Sequence, residues 1–257
     1  MKMFLIFLAL VLNVIMPAKA ETLQLGISVD MVPVESDFDG ANIVIFGSVE
    51  GAELAPLYRG DYHVVIKVEG AQEDVVIRRK ERIAGIWVNK KTKEYKNVPS
   101  FYTIISSKPL EEIADVSVLK EAGIGVSNIK SKPAIQGDLE FVLVAGEFTD
   151  ALKRNRSNDG LFAENASGLE HLSPSLFRAT VWLPPNVPIG EHKVTAYLFR
   201  DGKLLTQNTQ SKFNIEKVGF ERWIYNLAHH YSLVYGLMAV LIAIFTGWAA
   251  NAIFRKS

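Results

Sequence analysis

The densest group of chemically capable side chains is cationic. Arg78-Arg79-Lys80-Glu81-Arg82 stands just before Trp87, and Lys90, Lys91, Lys93 and Lys96 follow. A hairpin over this stretch would collect the cations on one edge beside an indole ring. Guanidinium groups grip planar oxyanions through paired N–H bonds, and ammonium groups add point charges. Arg78, Arg79, Arg82 and Trp87 are therefore candidate contacts for an inorganic oxyanion or an acidic partner surface. A plainer reading stands beside this one: edge strands carry Lys and Arg that prevent edge-to-edge pairing.

Other reactive residue types are scattered. The five histidines are His63, His171, His192, His229 and His230. None forms an HxH or HExxH pattern, so local metal-ligand spacing is absent. His229-His230 reads as the polar face of an interfacial helix. The chain has no cysteine, which excludes thiolate catalysis, cysteine-bound zinc and disulfide staples. It also lacks a GxSxG elbow, a P-loop and a dinucleotide fingerprint. The neighbouring carboxylates Glu111 and Glu112 have no context for acid–base work. The expectation is a non-enzymatic protein with no catalytic residue, no metal and no cofactor. Lys and Arg together number 28 and are matched by 28 Asp and Glu, a balance that gives no reason to expect nucleic acid as a partner.

These residues must be positioned by a chain bounded by two apolar segments. Residues 1–20 read as a secretory signal. Lys2 supplies the positive start, Met3 to Met16 is apolar but for Asn13, and Ala18-Lys19-Ala20 offers the small-x-small cleavage pattern. Residues 231–254 read as a transmembrane helix. They hold no Asp, Glu, Lys or Arg and span roughly 36 Å at helical rise, enough to cross the bilayer with some tilt. Arg255 and Lys256 form most of a short tail, 255–257, which the positive-inside rule places in the cytoplasm. Within the span, Gly236, Ala239, Ala243, Gly247 and Ala250 fall in a sector of about 80° at 100° per residue. Small residues in register let helix backbones approach closely in lipid, so this face predicts helix–helix association, with Thr246 beside it as a possible cross-helix hydrogen bonder.

The intervening chain alternates. Leu23, Leu25, Ile27, Val29 and Met31 share one face of a half-buried strand, and Tyr62, Val64, Ile66 and Val68 share another. Gly70-Ala71-Gln72 reads as a turn. Residues 21–108 form a first β-rich lobe on this reading. Residues 109–172 form a helical connecting segment, centred on a helix over 138–156. Residues 173–218 form a second β-rich lobe, with Asp201-Gly202 as a type I′ hairpin turn, and a single elaborated domain is the alternative. Phe220, Trp223, Ile224, Leu227, Ala228 and Tyr231 give 219–230 an amphipathic pattern suited to the membrane interface. The fold class expected is mainly β: an antiparallel, immunoglobulin-like, β-sandwich-rich ectodomain with a helical middle and one C-terminal transmembrane helix.

Several stretches carry a family likeness: IVIFGS (Ile43 to Ser48), RRKERIAGIWVN (Arg78 to Asn89), LPPNVPIGEHKVTAYLFRDG (Leu183 to Gly202) and KVGFERWIYNLA (Lys217 to Ala228). With Gly247-Trp248 and Phe254 to Lys256, they make the chain resemble the alphaproteobacterial putative transmembrane protein family. Members of that family have no assigned activity and are often encoded beside anion permeases of the TauE/SafE type. The resemblance implies a single-pass protein of the bacterial inner membrane, its ectodomain in the periplasm. It implies a partner in such a polytopic permease, reached through the small-residue face, which could equally serve self-association.

Overall fold

The computed structural model describes residues 20–129, 132–133 and 139–254. The expected signal segment, apart from Ala20, and the tail 255–257 lie outside these residues. The chain begins with β1 (Thr22–Ile27), β2 (Met31–Val34) and β3 (Ala41–Glu50), then a short helix α1 (Leu54–Arg59). Four strands follow: β4 (Tyr62–Glu69), β5 (Gln72–Ile83), β6 (Ile86–Pro99) and β7 (Tyr102–Ser106). The middle holds α2 (Leu110–Ile113), α3 (Val116–Ala122), the two-residue β8 (Lys132–Pro133) and α4 (Leu139–Asn158). Strands then return as β9 (Phe162–Ala166), β10 (Leu169–His171), β11 (Leu176–Leu183), β12 (Gly190–Arg200) and β13 (Lys203–Lys217). Two helices close the chain, α5 (Phe220–His230) and α6 (Ser232–Phe254). The protein is mainly β, with one helix among the described residues apolar and long enough to cross a membrane.

A four-stranded antiparallel sheet, β1-β3-β11-β10, faces a six-stranded sheet, β2-β13-β12-β4-β7-β9. In the smaller sheet the alternation is clean. Ile43, Ile45 and Val49 of β3 and Phe177, Ala179, Val181 and Leu183 of β11 are buried, and their neighbours in sequence turn outward. Gly47 sits opposite Phe177. A Cβ there would stand 2.6 Å from Phe177 Cζ and 2.3 Å from Gln24 O, so only glycine lets the ring lie across the strand.

The larger sheet is buried on both sides. Val64, Ile66 and Val68 of β4 share a face with Val194, Ala196 and Leu198 of β12, directed at the smaller sheet. Asn208 lies on that face and donates to Leu23 O at 2.7 Å, tying β13 to β1. Val65, Lys67, Thr195, Tyr197 and Phe199 line the opposite face and are also buried. The segment holding α2 and α3 packs there through Leu110, Ile113, Leu119 and Ile124. Tyr102 fastens it: its hydroxyl donates to Gly123 O (3.1 Å) and accepts from Gly125 N–H (3.0 Å). Burial pushes the Tyr102 hydroxyl far above its ordinary pKa. Lys67 is held on this face by Glu69 (3.0 Å) and by the Tyr197 ring. Burial works against its charge, but Glu69 and Tyr197 outweigh it and leave the ammonium pKa raised.

Two expectations change. The stretches 21–108 and 173–218 do not make separate lobes, because β3 pairs with β11, β4 with β12 and β2 with β13. Neither stretch supplies enough strands to cover its own apolar faces, so the two interleave. The larger sheet is also not purely antiparallel, since β2 runs parallel to β13 and β7 to β9 at its two edges.

Candidate functional site: a cationic hairpin arm

The β4–β7 ladder does not turn at Gly70. Gly70 N–H donates to Phe101 O and Ser100 N–H to Ala71 O, both at 2.8 Å. The pairing therefore runs on from Glu69↔Tyr102 into Gln72↔Pro99, and β5 and β6 form an arm projecting past the sheet. The expected turn fails because Gly70 answers to packing instead: its missing Cβ leaves room for Ser100 Oγ and His192 Nε2.

The arm ends at Ala84-Gly85, with φ values of 49° and 89°, a two-residue turn of the kind that demands positive φ twice. Asn or Asp is the usual first residue there. Alanine in the left-handed region costs on the order of 1 kcal/mol. What this choice gives is an apolar tip: Ile83, Ala84, Ile86 and Trp87 in sequence around one glycine, with Ile86 and Trp87 about two-thirds exposed.

Behind the tip the arm is strongly basic. Between Arg78 and Lys93 there are seven Lys and Arg and one carboxylate, Glu81. Lys90 binds Glu81 at 2.7 Å and holds its carboxyl below the usual range. The whole chain is neutral, so this stretch is offset by acidic groups elsewhere.

The structure distributes the four candidate residues unevenly. Arg82 and Trp87 are cross-strand partners on one face, and Arg82 Nε donates to Gly85 O (3.3 Å), laying the side chain over the turn. Arg78 and Arg79 alternate to opposite faces. Arg79 pairs with Glu147 of α4 at 3.0 Å. The helix also supports the arm through Thr149, which donates to the Tyr95 hydroxyl (3.2 Å), and through Arg156 paired with Glu73. An open groove of about 520 Å³ between arm and helix is edged by Arg78, Arg79 and Arg154 together with Glu147 and Asp150. Glu147 and Asp150 offset part of the positive charge along this groove.

The anchor carries the other group of candidate residues. α6 has a mean hydropathy of 2.1 over Ser232–Asn251, and none of that stretch is buried. Gly236, Ala239, Ala243, Gly247 and Ala250 are all exposed along it. The Thr246 hydroxyl, read from sequence as free to bond across helices, donates within its own helix, to Ile242 O (2.8 Å) or Ala243 O (3.0 Å). Ahead of it, α5 turns His229 and His230 outward and keeps Ile224 and Leu227 half-buried. The Tyr225 and His229 rings stack at 4.0 Å.

Residues 22–256 match the family model described as "Putative transmembrane protein (Alph_Pro_TM)". The chain belongs to that family. No curated protein and no solved structure matches it. For this Alph_Pro_TM member, α6 is the single candidate spanning helix among the described residues.

Sequence reasoning missed one cleft. About 330 Å³ opens between α1, β4 and the β10–β11 loop, with His63, His171, Arg59 and Lys108 on its walls. Burial lowers both imidazole pKa values, and Lys108 lowers that of His63 further, so both rings are neutral near pH 7. Arg59 is already committed to Asp61 at 2.7 Å. His63 and His171 lie more than a hundred residues apart, and no local spacing could have announced them. Among the described residues no group of three His, Asp or Glu side chains is placed to hold a metal ion.

Proposed function

We propose that this Alph_Pro_TM member is a non-enzymatic, single-pass protein of the bacterial inner membrane that works by contact. Its folded body lies in the periplasm after removal of the signal segment, and its C-terminus lies in the cytoplasm. It serves as an accessory subunit of a polytopic anion permease of the TauE/SafE type. The supporting observation is an anchor with five exposed small residues on one face and none of its span Ser232–Asn251 buried. Lipid provides no hydrophobic drive for helices to pair, and such faces are how they pack closely. One helix cannot line a pore alone, so transport itself must belong to the partner. The test is a mild-detergent pull-down of the tagged protein beside Gly247→Leu. Recovery of a permease by the wild type and its loss in the variant is expected; recovery of the bait alone from wild type would reject the accessory role.

A second reading is supported by the arm's charge: a tethered oxyanion-binding module using Arg78, Arg79, Arg82 and Trp87. Calorimetry of the full chain in detergent with sulfite, sulfate and phosphate tests it. Heat that disappears in Arg79→Gln supports it, and no heat from any of the three removes it.

A further inference from the structure

The arm and the anchor leave the body from one rim. Lys193 pairs with Glu69, Gly190 with Ile215 and Glu69 with Tyr102. The C-terminal ends of β4 and β13 therefore lie together, two strands apart in the sheet. The two strands are also parallel, because each is antiparallel to β12 between them. Beyond that rim β4 continues through Gly70 into the arm, and β13 continues through Gly219 toward α5 and α6. Ala71, at the arm's root, sits beside the start of β12: a Cβ on Gly190 would lie 3.8 Å from the Ala71 Cβ.

The lengths are compatible with a shared destination. From Glu69 to Ile83 the ladder extends roughly 40 Å at strand rise, allowing for twist and its two bulges. From Lys217 to Ser232 the chain has α5 and five extended steps around it, a reach of roughly 33 Å at most. The membrane surface at the head of α6 is thus closer to the rim than the arm is long.

We propose that the tip of the arm docks on the anionic headgroup layer of the same membrane that α6 spans. Trp87, Ile83 and Ile86 enter the interface, where indole and aliphatic groups are at home. The Lys and Arg behind them meet the negative surface charge, which attracts basic segments within a Debye length. This explains the apolar turn residue Ala84 at a position that favours Asn, and the concentration of positive charge in a neutral chain. Held at two points, the body would keep a fixed orientation over the bilayer. The proposal goes beyond the accessory reading and needs no permease.

The chain lacks cysteine, so single labels are straightforward. Ile86→Cys, carrying an environment-sensitive fluorophore, is placed in full-length protein in nanodiscs of phosphatidylcholine or of phosphatidylglycerol-rich lipid. Each disc type is prepared with and without a headgroup spin-labelled lipid as quencher. Leu241→Cys in the anchor is the control. Docking predicts several-fold stronger tip quenching in the phosphatidylglycerol discs, lost in Arg78→Glu/Lys80→Glu/Arg82→Glu and weakened by high salt. The anchor label should behave alike in all samples. An unquenched tip beside a normal anchor control overturns the proposal. So does a tip signal that turns apolar with protein concentration but without lipid quenching, which would mean a second copy is the occupant. A spectrally polar, water-exposed anchor label would overturn the spanning assignment and the proposal with it, leaving a distinct signature.

Discussion

Two long hairpins in this protein share a turn geometry and little else. The β12–β13 hairpin turns at Asp201-Gly202 with φ of 51° and 74°, and the arm turns at Ala84-Gly85 with φ of 49° and 89°. In β12 the residues from Val194 to Phe199 are buried without a break. In β5 no residue is buried. The body hairpin uses the turn residue that favours positive φ and spends its side chains on the core. The arm uses a strained one and leaves apolar and cationic groups in the open. Similar turn dihedrals therefore accompany opposite uses of the side chains, burial in one hairpin and exposure in the other.

The largest test of that contrast is a pair of truncations. Phe199→Ala should cost about 3–5 kcal/mol, as expected for a fully buried ring. Trp87→Ala should stay within about 0.5 kcal/mol, as for an exposed site. Denaturant unfolding of the full chain in detergent measures both, and comparable losses would break the distinction. Where arm meets body, Gly70→Ala should cost about 1–3 kcal/mol by overpacking, because the new Cβ would stand 2.5 Å from Ser100 Oγ and 3.0 Å from Phe101 N.

A smaller effect concerns acid. His192 is fully buried beside the Phe213 ring, its Nδ1 is 3.1 Å from Gly190 O, and burial lowers its pKa. An unfolded histidine near 6.5 takes up its proton first as pH falls, so stability is complete above that value and declines below it. The melting temperature should drop between pH 7.5 and 5, and the drop should shrink in His192→Phe. An unchanged drop would place the acid sensitivity in His63 and His171, which share the same sign. The one expected gain is small: Ala84→Asn should stabilise by about 0.5–1 kcal/mol by suiting the left-handed turn. No gain on thermal unfolding would mean the turn carries no strain.

Local signals in the sequence located what local physics determines. The hairpin at Asp201-Gly202, the helix over 138–156 (observed as Leu139–Asn158) and the break before the anchor follow from turn chemistry, period and hydropathy. The interleaving of the two strand-rich stretches was not legible, because pairing partners such as Val32 and Ile215 are chosen by sheet closure. Gly70 misled for a related reason. Glycine marks both turns and close packing, and only the approach of Ser100 and His192 distinguishes them. Of the candidate contacts, Arg82 and Trp87 were brought face to face, whereas Arg79 was drawn to Glu147 on a helix far along the chain.

The parallel pairing of β2 with β13 also sets a schedule. Met31 meets Asn214 only after nearly all of the folded body has been made, roughly 10–35 s later at 5–20 residues per second. Until then the β13 side of β12 and the edge of β2 wait unpaired, the condition under which nascent chains aggregate. Only fourteen residues separate the end of β13 from the start of the anchor. Closure of the sheet and capture by the bilayer therefore fall in the same brief interval of synthesis, and a delay in either exposes the other.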